Sequence, residues 1–298
     1  MCGIVGLFLK DPKLEPQLGA MLTDMLITMT DRGPDSAGIA IYGRPHKGHS
    51  KLTVQSANPD SDFKGLEADL GKAIAGKVTG QIKDTHMVLD IPEDRIDAAR
   101  HAMRSLRPDV KVMSAGSEIE IYKEVGLPKD VAARFEIAHM SGTHGIGHTR
   151  MATESAVTTM GAHPFSTGSD QCLVHNGSLS NHNSVRRVLK QAGMTFETEN
   201  DTEVAAAFIS HKLQEGSALG EAMEATLTDL DGFFTFVVGT KNGFGVVRDP
   251  IACKPAVMAE TDQYVAFGSE YRAMVNLPGI LNARVWEPEP ATVYFWER

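Results

Sequence analysis

The sequence predicts an α+β fold in which two β-sheets pack together and helices flank them. Strand-like apolar segments open the chain at Gly3–Leu9 and recur over its last third, whereas helical patterns lie between them. Such elements bury their apolar faces against one another in layers. With 298 residues, 42% of them hydrophobic, the chain can bury a substantial core without disulfides to hold it.

The first part of the chain alternates strand, helix and strand. Residues 3–9 form a buried strand, and apolar side chains at helical spacing predict a core-facing helix over 16–30. Gly33-Pro34 marks a turn over 31–36, and residues 37–42 return as a strand. The next segment, 44–142, predicts an inserted α/β segment, with strands over 87–91, 110–113 and 118–125 and helices over 96–106 and 131–139.

The second part begins with a strand and continues with helices. Residues 171–175 form a short strand, and the Asn176-Gly177 pair after it is typical of a tight turn. Asp201-Thr202 is well placed to cap the second of three helices. These helices are predicted over 185–192, 203–215 and 219–230. Further strands are predicted over 233–239, 243–248, 256–259, 264–268, 284–287 and 291–296, with a short helix over 269–275.

Charge and cysteine content exclude several classes of protein. The net charge of −9 leaves no basic excess to neutralise phosphates, so we expect no nucleic-acid partner. We also expect no signal peptide and no membrane span, because no apolar stretch has the required flanks or length. Cys2, Cys172 and Cys253 are odd in number and widely spaced, which favours a reducing cytoplasm over a disulfide-linked secreted protein.

The start of the chain, Met1-Cys2-Gly3, is its most informative feature. Removal of the initiator Met, which a small second residue favours, would leave a cysteine with both a thiol and a free α-amino group. One residue can then supply nucleophile and base, as N-terminal nucleophile enzymes require. The alternative is that Cys2 is a small apolar residue at the start of a buried strand, and these first residues alone do not decide between the two.

Four further motifs follow in order: Asp31–Gly38, Gly147–Thr153, His175–Gly177 and Asn200–Glu203. With Met1–Ile4 they resemble the class II glutamine amidotransferases of the N-terminal-nucleophile superfamily. The resemblance extends through residues 248–250, 254–255 and 268–270. It implies a four-layer αββα sandwich forming one domain over residues 1–298, with the insertion at about 44–142.

The resemblance assigns the acyl-transfer chemistry to three residues. Cys2 would attack the side-chain amide of glutamine, form a γ-glutamyl thioester and release ammonia. The Asn176 side chain and the Gly177 backbone N–H would form the oxyanion hole. Without the resemblance, Asn176-Gly177 would be a plain hairpin turn.

The same resemblance assigns substrate binding to three charged residues. Arg150 would bind the α-carboxylate of glutamine, since a guanidinium fork matches a carboxylate. Asp201 would hold the α-ammonium, and Arg32 would order a loop over the pocket. The alternatives are a structural ion pair for Arg150, a helix cap for Asp201 and a purely structural role for Arg32.

We expect no metal and no cofactor in this chain. Several histidines lie close together in sequence, but they lack metal-site spacing and no cysteine pair accompanies them. The clustered histidines are His144, His148, His163, His175 and His182. The resemblance assigns structural roles to His148, His163 and His175, and it places any flavin or iron–sulfur clusters in partner subunits.

The chain looks like the stand-alone amidotransferase subunit of glutamate-synthase-like complexes, including N-methylglutamate synthase. The predicted function is therefore a cytoplasmic glutaminase that hydrolyses L-glutamine to glutamate and ammonia for a partner synthase subunit. Two alternatives remain. One is an autonomous hydrolase of a γ-glutamyl amide, and the other is a catalytically silent regulatory subunit.

Overall fold

The computed structural model describes residues 2–152 and 156–298, and its strands and helices are as follows. The strands are β1 (Gly3–Leu9), β2 (Ser36–Tyr42), β3 (His49–Gln55), β4 (Thr79–Lys83), β5 (His86–Pro92), β6 (Lys111–Gly116), β7 (Ile119–Val125), β8 (His144–Arg150), β9 (Gln171–Leu179), β10 (Gly232–Thr240), β11 (Gly243–Arg248), β12 (Val257–Glu260), β13 (Tyr264–Gly268), β14 (Arg284–Trp286) and β15 (Val293–Glu297). The α-helices are α1 (Leu18–Thr28), α2 (Pro59–Asp62), α3 (Leu66–Ile74), α4 (Ile96–Leu106), α5 (Pro128–Arg134), α6 (His182–Gln191), α7 (Asp201–Gln214) and α8 (Leu219–Asp229). Short 3₁₀ turns cover Pro12–Gln17, Thr30–Arg32, Glu93–Arg95, Ile137–His139, Tyr271–Met274 and Ile280–Asn282.

The strands of the described residues form three sheets. Sheet A has seven strands in the order β14-β12-β13-β1-β8-β2-β7, and sheet C has four in the order β15-β11-β10-β9. A further four-stranded sheet, B, has the order β4-β5-β3-β6. All pairings within these sheets are antiparallel.

Sheets A and C pack face to face between two layers of helices. On β1, Ile4 and Phe8 point into the core between the sheets, whereas Val5 and Leu7 pack with apolar residues of α1 on the outer face. The outer face of sheet C packs with α7 and α8. This alternation along the strands produces the four-layer αββα sandwich, so the fold expected from the resemblance is confirmed.

Close approach of the two sheets depends on a small residue in β1. A Cβ at Gly6 would lie 2.5 Å from the ring of Phe244 on β11.

Cys172 is buried in the same layer, and burial raises the pKa of its thiol to about 12. Cys172 is therefore a protonated core residue, and a nucleophilic cysteine must come from elsewhere in the chain.

Sheet B, with α3 and α4, forms the inserted part of the chain and has an apolar core of its own. We expected the insertion at about 44–142, but β7 and α5 contribute to sheet A and its outer helical layer. The separate sheet lies between β2 and β7, which pair with each other in sheet A. The two ends of the insertion meet, because the N–H of Gly43 donates to the carbonyl of Glu118 at 3.1 Å.

Two local predictions are wrong. Asn176 and Gly177 do not form a hairpin turn, because β9 continues through them to Leu179. The cap of α7 is Asn200, whose side chain accepts a hydrogen bond from the N–H of Thr202 at 2.8 Å. For β9, pairing with β10 overrides the local preference of a short polar segment.

Within the part of the chain that the structure describes, no helix is both long enough and apolar enough to cross a bilayer.

Candidate active site

Residues at the ends of sheets A and C line one cavity of about 810 Å³. Cys2, Arg150, Asn176, Gly177 and Asp201 all belong to its wall. These five positions span almost two hundred residues of sequence, yet the fold brings their side chains or backbone to a single space. Met1, whose removal the mechanism requires, and Thr153 of the third motif lie outside the described residues.

Cys2 lies immediately before β1, and the hydrogen bonding of its backbone fixes its position. Gly3 pairs with Thr149, so continuing the β1–β8 register places Cys2 opposite Arg150. The Cys2 carbonyl accepts hydrogen bonds from Arg32 Nε at 3.0 Å and from Asn176 Nδ2 at 3.3 Å. The Cys2 side chain is partly exposed, with no disulfide partner.

A second set of contacts holds the start of β1 from the other side. Ser269 Oγ accepts from the N–H of Ile4, and the N–H of Ser269 donates to the Ile4 carbonyl, both at 2.9 Å. Glu270 forms an ion pair with Arg32 at 2.7 Å. The hydrogen bond from Arg32 holds the pKa of the Glu270 carboxyl below its ordinary value. Arg32 thus contacts the back of Cys2, and it is not among the residues of the cavity wall.

The geometry of β9 directs backbone donors into the region beside Cys2. β9 is the edge strand of sheet C, and the N–H groups of Leu173, His175 and Leu179 all donate away from β10. N–H groups alternate in direction along a strand, and Gly177 lies two residues from both His175 and Leu179, so its N–H points the same way as theirs. Its N–H therefore points to the free edge, on the side of the strand that faces the cavity.

Only glycine fits at position 177. Its φ is +150°, and a Cβ there would lie 1.9 Å from the carbonyl oxygen of Phe233. The Asn176 side chain is buried, with its Nδ2 on the Cys2 carbonyl. A side-chain amide and a backbone N–H beside a nucleophile are the donors that stabilise a tetrahedral oxyanion.

Two opposite charges line the same cavity. Arg150 is the last residue of β8 and is only 7% exposed, and its Nη1 lies 3.4 Å from the Ala156 carbonyl. Asp201 is the first residue of α7, and one of its oxygens accepts from the N–H of Leu179 at 2.9 Å. Because Asn200 caps the helix, the Asp201 carboxylate is not occupied by capping and faces β9 and the cavity.

A closed set of hydrogen bonds ties β9 to the start of α7. The backbone N–H of His175 can only donate, so Nδ1 of His163, at 3.4 Å, is the acceptor. His163 Nε2 then donates to Thr202 Oγ1 at 3.3 Å, and that hydroxyl donates to Asp201 Oδ1 at 3.4 Å. Thr202 Oγ1 also lies 3.1 Å from His175 Nδ1, which donates to it. Burial lowers the pKa of both imidazoles, so both are neutral. The histidines position Asp201 rather than carry charge.

Further buried histidines make the stability of the protein sensitive to acid. Burial lowers the pKa of His144 and of His148 to about 3. The unfolded chain, with an imidazole pKa of about 6.5, takes up these protons first as the pH falls. Stability is therefore fully present above about pH 6.5 and is lost between that pH and about 3.

We expect the free energy of unfolding to fall by up to about 2 kcal/mol per buried imidazole between pH 7.5 and pH 5. Denaturant unfolding at the two pH values measures this loss. His144→Gln should reduce the difference by about one imidazole's share, whereas His101→Gln, at an exposed position, should leave it unchanged. An equal pH difference in wild type and His144→Gln would contradict the assignment.

Lys123 supports the site from outside the cavity wall, and sequence reasoning missed it. It lies on β7, fully surrounded by protein, and its Nζ donates to the carbonyls of Ala162 at 2.8 Å and of Pro164 at 3.3 Å. Burial lowers the pKa of its ammonium to about 7. It fixes the segment that carries His163 into the cavity wall. A lone lysine in an alternating strand gives no sequence signal for this role.

The charges and donors of the cavity suit an amino acid with an amide side chain. Among the described residues, the cavity wall brings no three metal-ligating side chains together. The arrangement offers instead a thiol, two oxyanion donors, a guanidinium and a carboxylate. These are the groups that an amide-cleaving acyl transfer needs.

Comparison with known proteins gives consistent results. A family model described as a glutamine amidotransferase domain matches residues 148–276. The chain is 68% identical to the glutamine amidotransferase-like protein GlxB of Rhizobium meliloti over 100% of this chain and 98% of the relative. It is 36% identical to a putative glutamine amidotransferase of Methanothermobacter thermautotrophicus over 91% and 92% of the two chains.

Among solved structures, the fold is similar to the glutamine phosphoribosylpyrophosphate amidotransferase of B. subtilis. The TM-score is 0.59 at 19% identity, over 99% of this chain and 47% of the other. At this identity the similarity concerns the fold alone.

Proposed function

Because the chain belongs to the class II glutamine amidotransferase family, we propose that it hydrolyses L-glutamine at Cys2 and passes the ammonia to a synthase subunit. Membership of the family makes it an enzyme of the glutamine amidotransferase type. The observation that carries the proposal is the cavity that brings Cys2 together with Arg150, Asn176, Gly177 and Asp201.

The proposed first half-reaction forms a thioester and releases ammonia. With Met1 removed, the α-amino group of Cys2 takes the thiol proton, and the sulfur attacks the side-chain amide carbon of glutamine. The Asn176 amide and the Gly177 N–H donate to the oxygen of the tetrahedral intermediate. When the intermediate collapses, the C–N bond breaks and the nitrogen leaves as ammonia with the transferred proton.

The proposed second half-reaction is hydrolysis of the thioester. A water molecule gives a proton to the Cys2 amine and attacks the same carbon, and the same two donors stabilise the second oxyanion. The C–S bond then breaks, glutamate forms and the thiol is regenerated. Arg32 and Ser269 do not touch the reacting atoms. They hold the backbone on which the thiol is placed.

Substrate recognition in this proposal rests on two charges. The Arg150 guanidinium binds the α-carboxylate of glutamine, and the Asp201 carboxylate binds the α-ammonium. Arg150 is buried and Asp201 is held by Leu179. Because both groups are fixed before the substrate arrives, little conformational entropy is lost on binding.

Arg150→Lys should raise the KM for glutamine about tenfold and leave kcat within about twofold of wild type. A lysine keeps the charge but loses the bidentate geometry, and the α-carboxylate is bound similarly in ground and transition states. Steady-state glutaminase kinetics measure both constants. The exposed Arg187→Lys on α6 is the control. A loss confined to kcat would contradict the role given to Arg150.

We propose that the partner is a synthase of the glutamate synthase or N-methylglutamate synthase type. Ammonia released into water would be protonated, so a glutaminase serves biosynthesis best when docked on the enzyme that consumes its product. The stretch from Tyr271 to Val285 carries exposed apolar side chains, among them Val275 and Leu281, which is 92% exposed. Grouped exposed apolar residues are typical of protein–protein contact.

Labelling with a diazoketone analogue of glutamine tests the glutaminase proposal. Intact mass and N-terminal peptide mapping should show loss of Met1 and one adduct on Cys2, with exposed Cys253 unlabelled. Retention of Met1 would overturn the mechanism, because the free amine would be missing.

Purification of the native complex tests the partner. We expect large subunits to co-elute with the chain and to be lost with Leu281→Glu, whereas Ile82→Glu, at an exposed position in sheet B, should retain them. A fully active chain that elutes alone would favour the autonomous hydrolase instead.

A further inference from the structure

A cluster of metal-binding side chains lies in the insertion, on different elements from those that form the cavity around Cys2. His46 belongs to the connector between β2 and β3, His49 is the first residue of β3, and Asp90 lies on β5. One ligand atom from each lies within 4.8 Å of the others. The sequence analysis expects no metal in this chain, and no sequence pattern indicates this cluster, because Asp90 is brought to the histidines only by the pairing of β3 with β5.

The distances within the cluster suit a shared cation. His46 Nδ1 lies 3.0 Å from one oxygen of Asp90, and His49 Nδ1 lies 2.8 Å from the other. Two ligands of a tetrahedral zinc ion, each about 2.0–2.1 Å from the metal, are themselves about 3.3 Å apart, so the cluster needs to open by only a few tenths of an ångström. The two imidazoles are stacked, with ring centroids 4.6 Å apart.

The contact between His49 Nδ1 and Asp90 Oδ1 is not a hydrogen bond, although the two atoms are only 2.8 Å apart. His49 Nδ1 and the nearby Asp90 Oδ1 are both shielded from solvent, and neither has a hydrogen-bond partner among the described residues. A short approach without donor geometry leaves two buried polar atoms unsatisfied, which is costly. A cation between them satisfies both, because each atom then offers it a lone pair.

The charges around Asp90 leave room for such a cation. Lys51 is paired with Asp90 in register on the same face of sheet B, but its Nζ lies 2.6 Å from Glu120. The nearest lysine on that face is thus engaged with another carboxylate. A cavity of about 310 Å³ adjoins His46, His49 and Asp90 and gives space for a water or a further ligand.

We propose that His46, His49 and Asp90 bind one divalent transition-metal ion of the zinc class. Two neutral imidazoles and a carboxylate are a ligand set that zinc accepts, with a fourth position open to water. The ion fastens the connector of residues 43–48 onto sheet B and so fixes the insertion where it leaves the main sheet. The site is independent of the glutaminase proposal, since it shares no residue with the cavity around Cys2.

Titration of the metal-depleted full-length protein with Zn²⁺ tests the proposal. We expect one ion per chain and a Tm that rises with Zn²⁺, because binding to the folded state stabilises it. Affinity should fall as the pH is lowered, because protons compete with the metal for the ligand atoms. Co²⁺ should give the visible absorption bands of a low-coordinate site.

Matched variants decide where the ion binds. His49→Ala and Asp90→Asn should each weaken Zn²⁺ binding at least about 100-fold, while exposed His101→Ala and His139→Ala should not change it. Thermal unfolding of every variant without metal, compared with wild type, shows that the protein remains folded. Several weak ions per chain, or equal affinity in wild type and Asp90→Asn, would mean an adventitious ion only and would overturn the proposal.

Discussion

Replacing Cys2 with alanine should abolish glutamine hydrolysis, by at least about 10⁴-fold in kcat, and should leave Tm within about 1 °C of wild type. No other cysteine can replace the proposed nucleophile. Cys172 is buried with a raised thiol pKa, and Cys253 is exposed and absent from the cavity wall. Alanine also keeps the small second residue that favours removal of Met1.

The unchanged stability follows from how Cys2 is held. Arg32 and Asn176 donate to its backbone carbonyl, and the neighbouring Ile4 is held by Ser269, so none of these bonds uses the side chain. Glutamine hydrolysis and thermal unfolding of Cys2→Ala, Cys2→Ser and the control Cys253→Ala measure both effects. Near-normal turnover in either Cys2 variant would refute the nucleophile assignment.

Asn176→Ala should lower kcat by about 10²–10³-fold and change KM by less than about threefold. The side-chain amide is proposed to bind the oxygen only when it carries negative charge, so its loss costs transition-state stabilisation and little ground-state binding. Gly177 would retain its backbone donor, which explains why the loss should be smaller than that of Cys2→Ala.

Two further variants sharpen this second prediction. Asn176→Asp has nearly the same shape but replaces donors with a negative charge beside the oxyanion, so it should be slower than Asn176→Ala. Ser178→Ala, an exposed neighbour on β9 that also lines the cavity, should stay near wild type. A change in KM alone for Asn176→Ala would show that the residue binds substrate instead of stabilising the oxyanion.

The core strands and helices were largely predictable from the sequence, whereas their arrangement in four layers was implied only by the resemblance. The strands around Gly6 and Val246 are buried along their whole length, and the helix at Leu22 has apolar residues at helical spacing. β8 could not be predicted in this way, since its glycines and histidines disfavour a strand. It forms because β1 and β2 pair with it on both sides.

The insertion was less predictable for two different reasons. Leu66, Leu70 and Ile74 of α3 follow helical spacing, so that helix was visible in the sequence and was overlooked. The edge strand β4 is exposed along most of its length and has no buried face to produce a pattern. Pairing with β5 alone defines it.

The six site residues came from resemblance, and the structure adds their mutual arrangement. No periodicity predicts that Arg150 lies opposite Cys2, which follows from the register of β1 with β8. Local sequence patterns also cannot predict that Arg32 lies behind Cys2 and contacts Glu270, because the three residues are far apart in sequence.

The meeting of Gly43 with Glu118 has a consequence for how this chain was assembled over time. A segment whose two ends emerge from adjacent strands can be gained or lost in a single genetic event, since a short loop from Tyr42 to Ile119 would close the same hairpin. Ancestral and descendant forms would then keep an identical catalytic centre while differing by the 76 residues from 43 to 118. Evolution can thus change which partner or ligand the insertion binds without altering the catalytic residues.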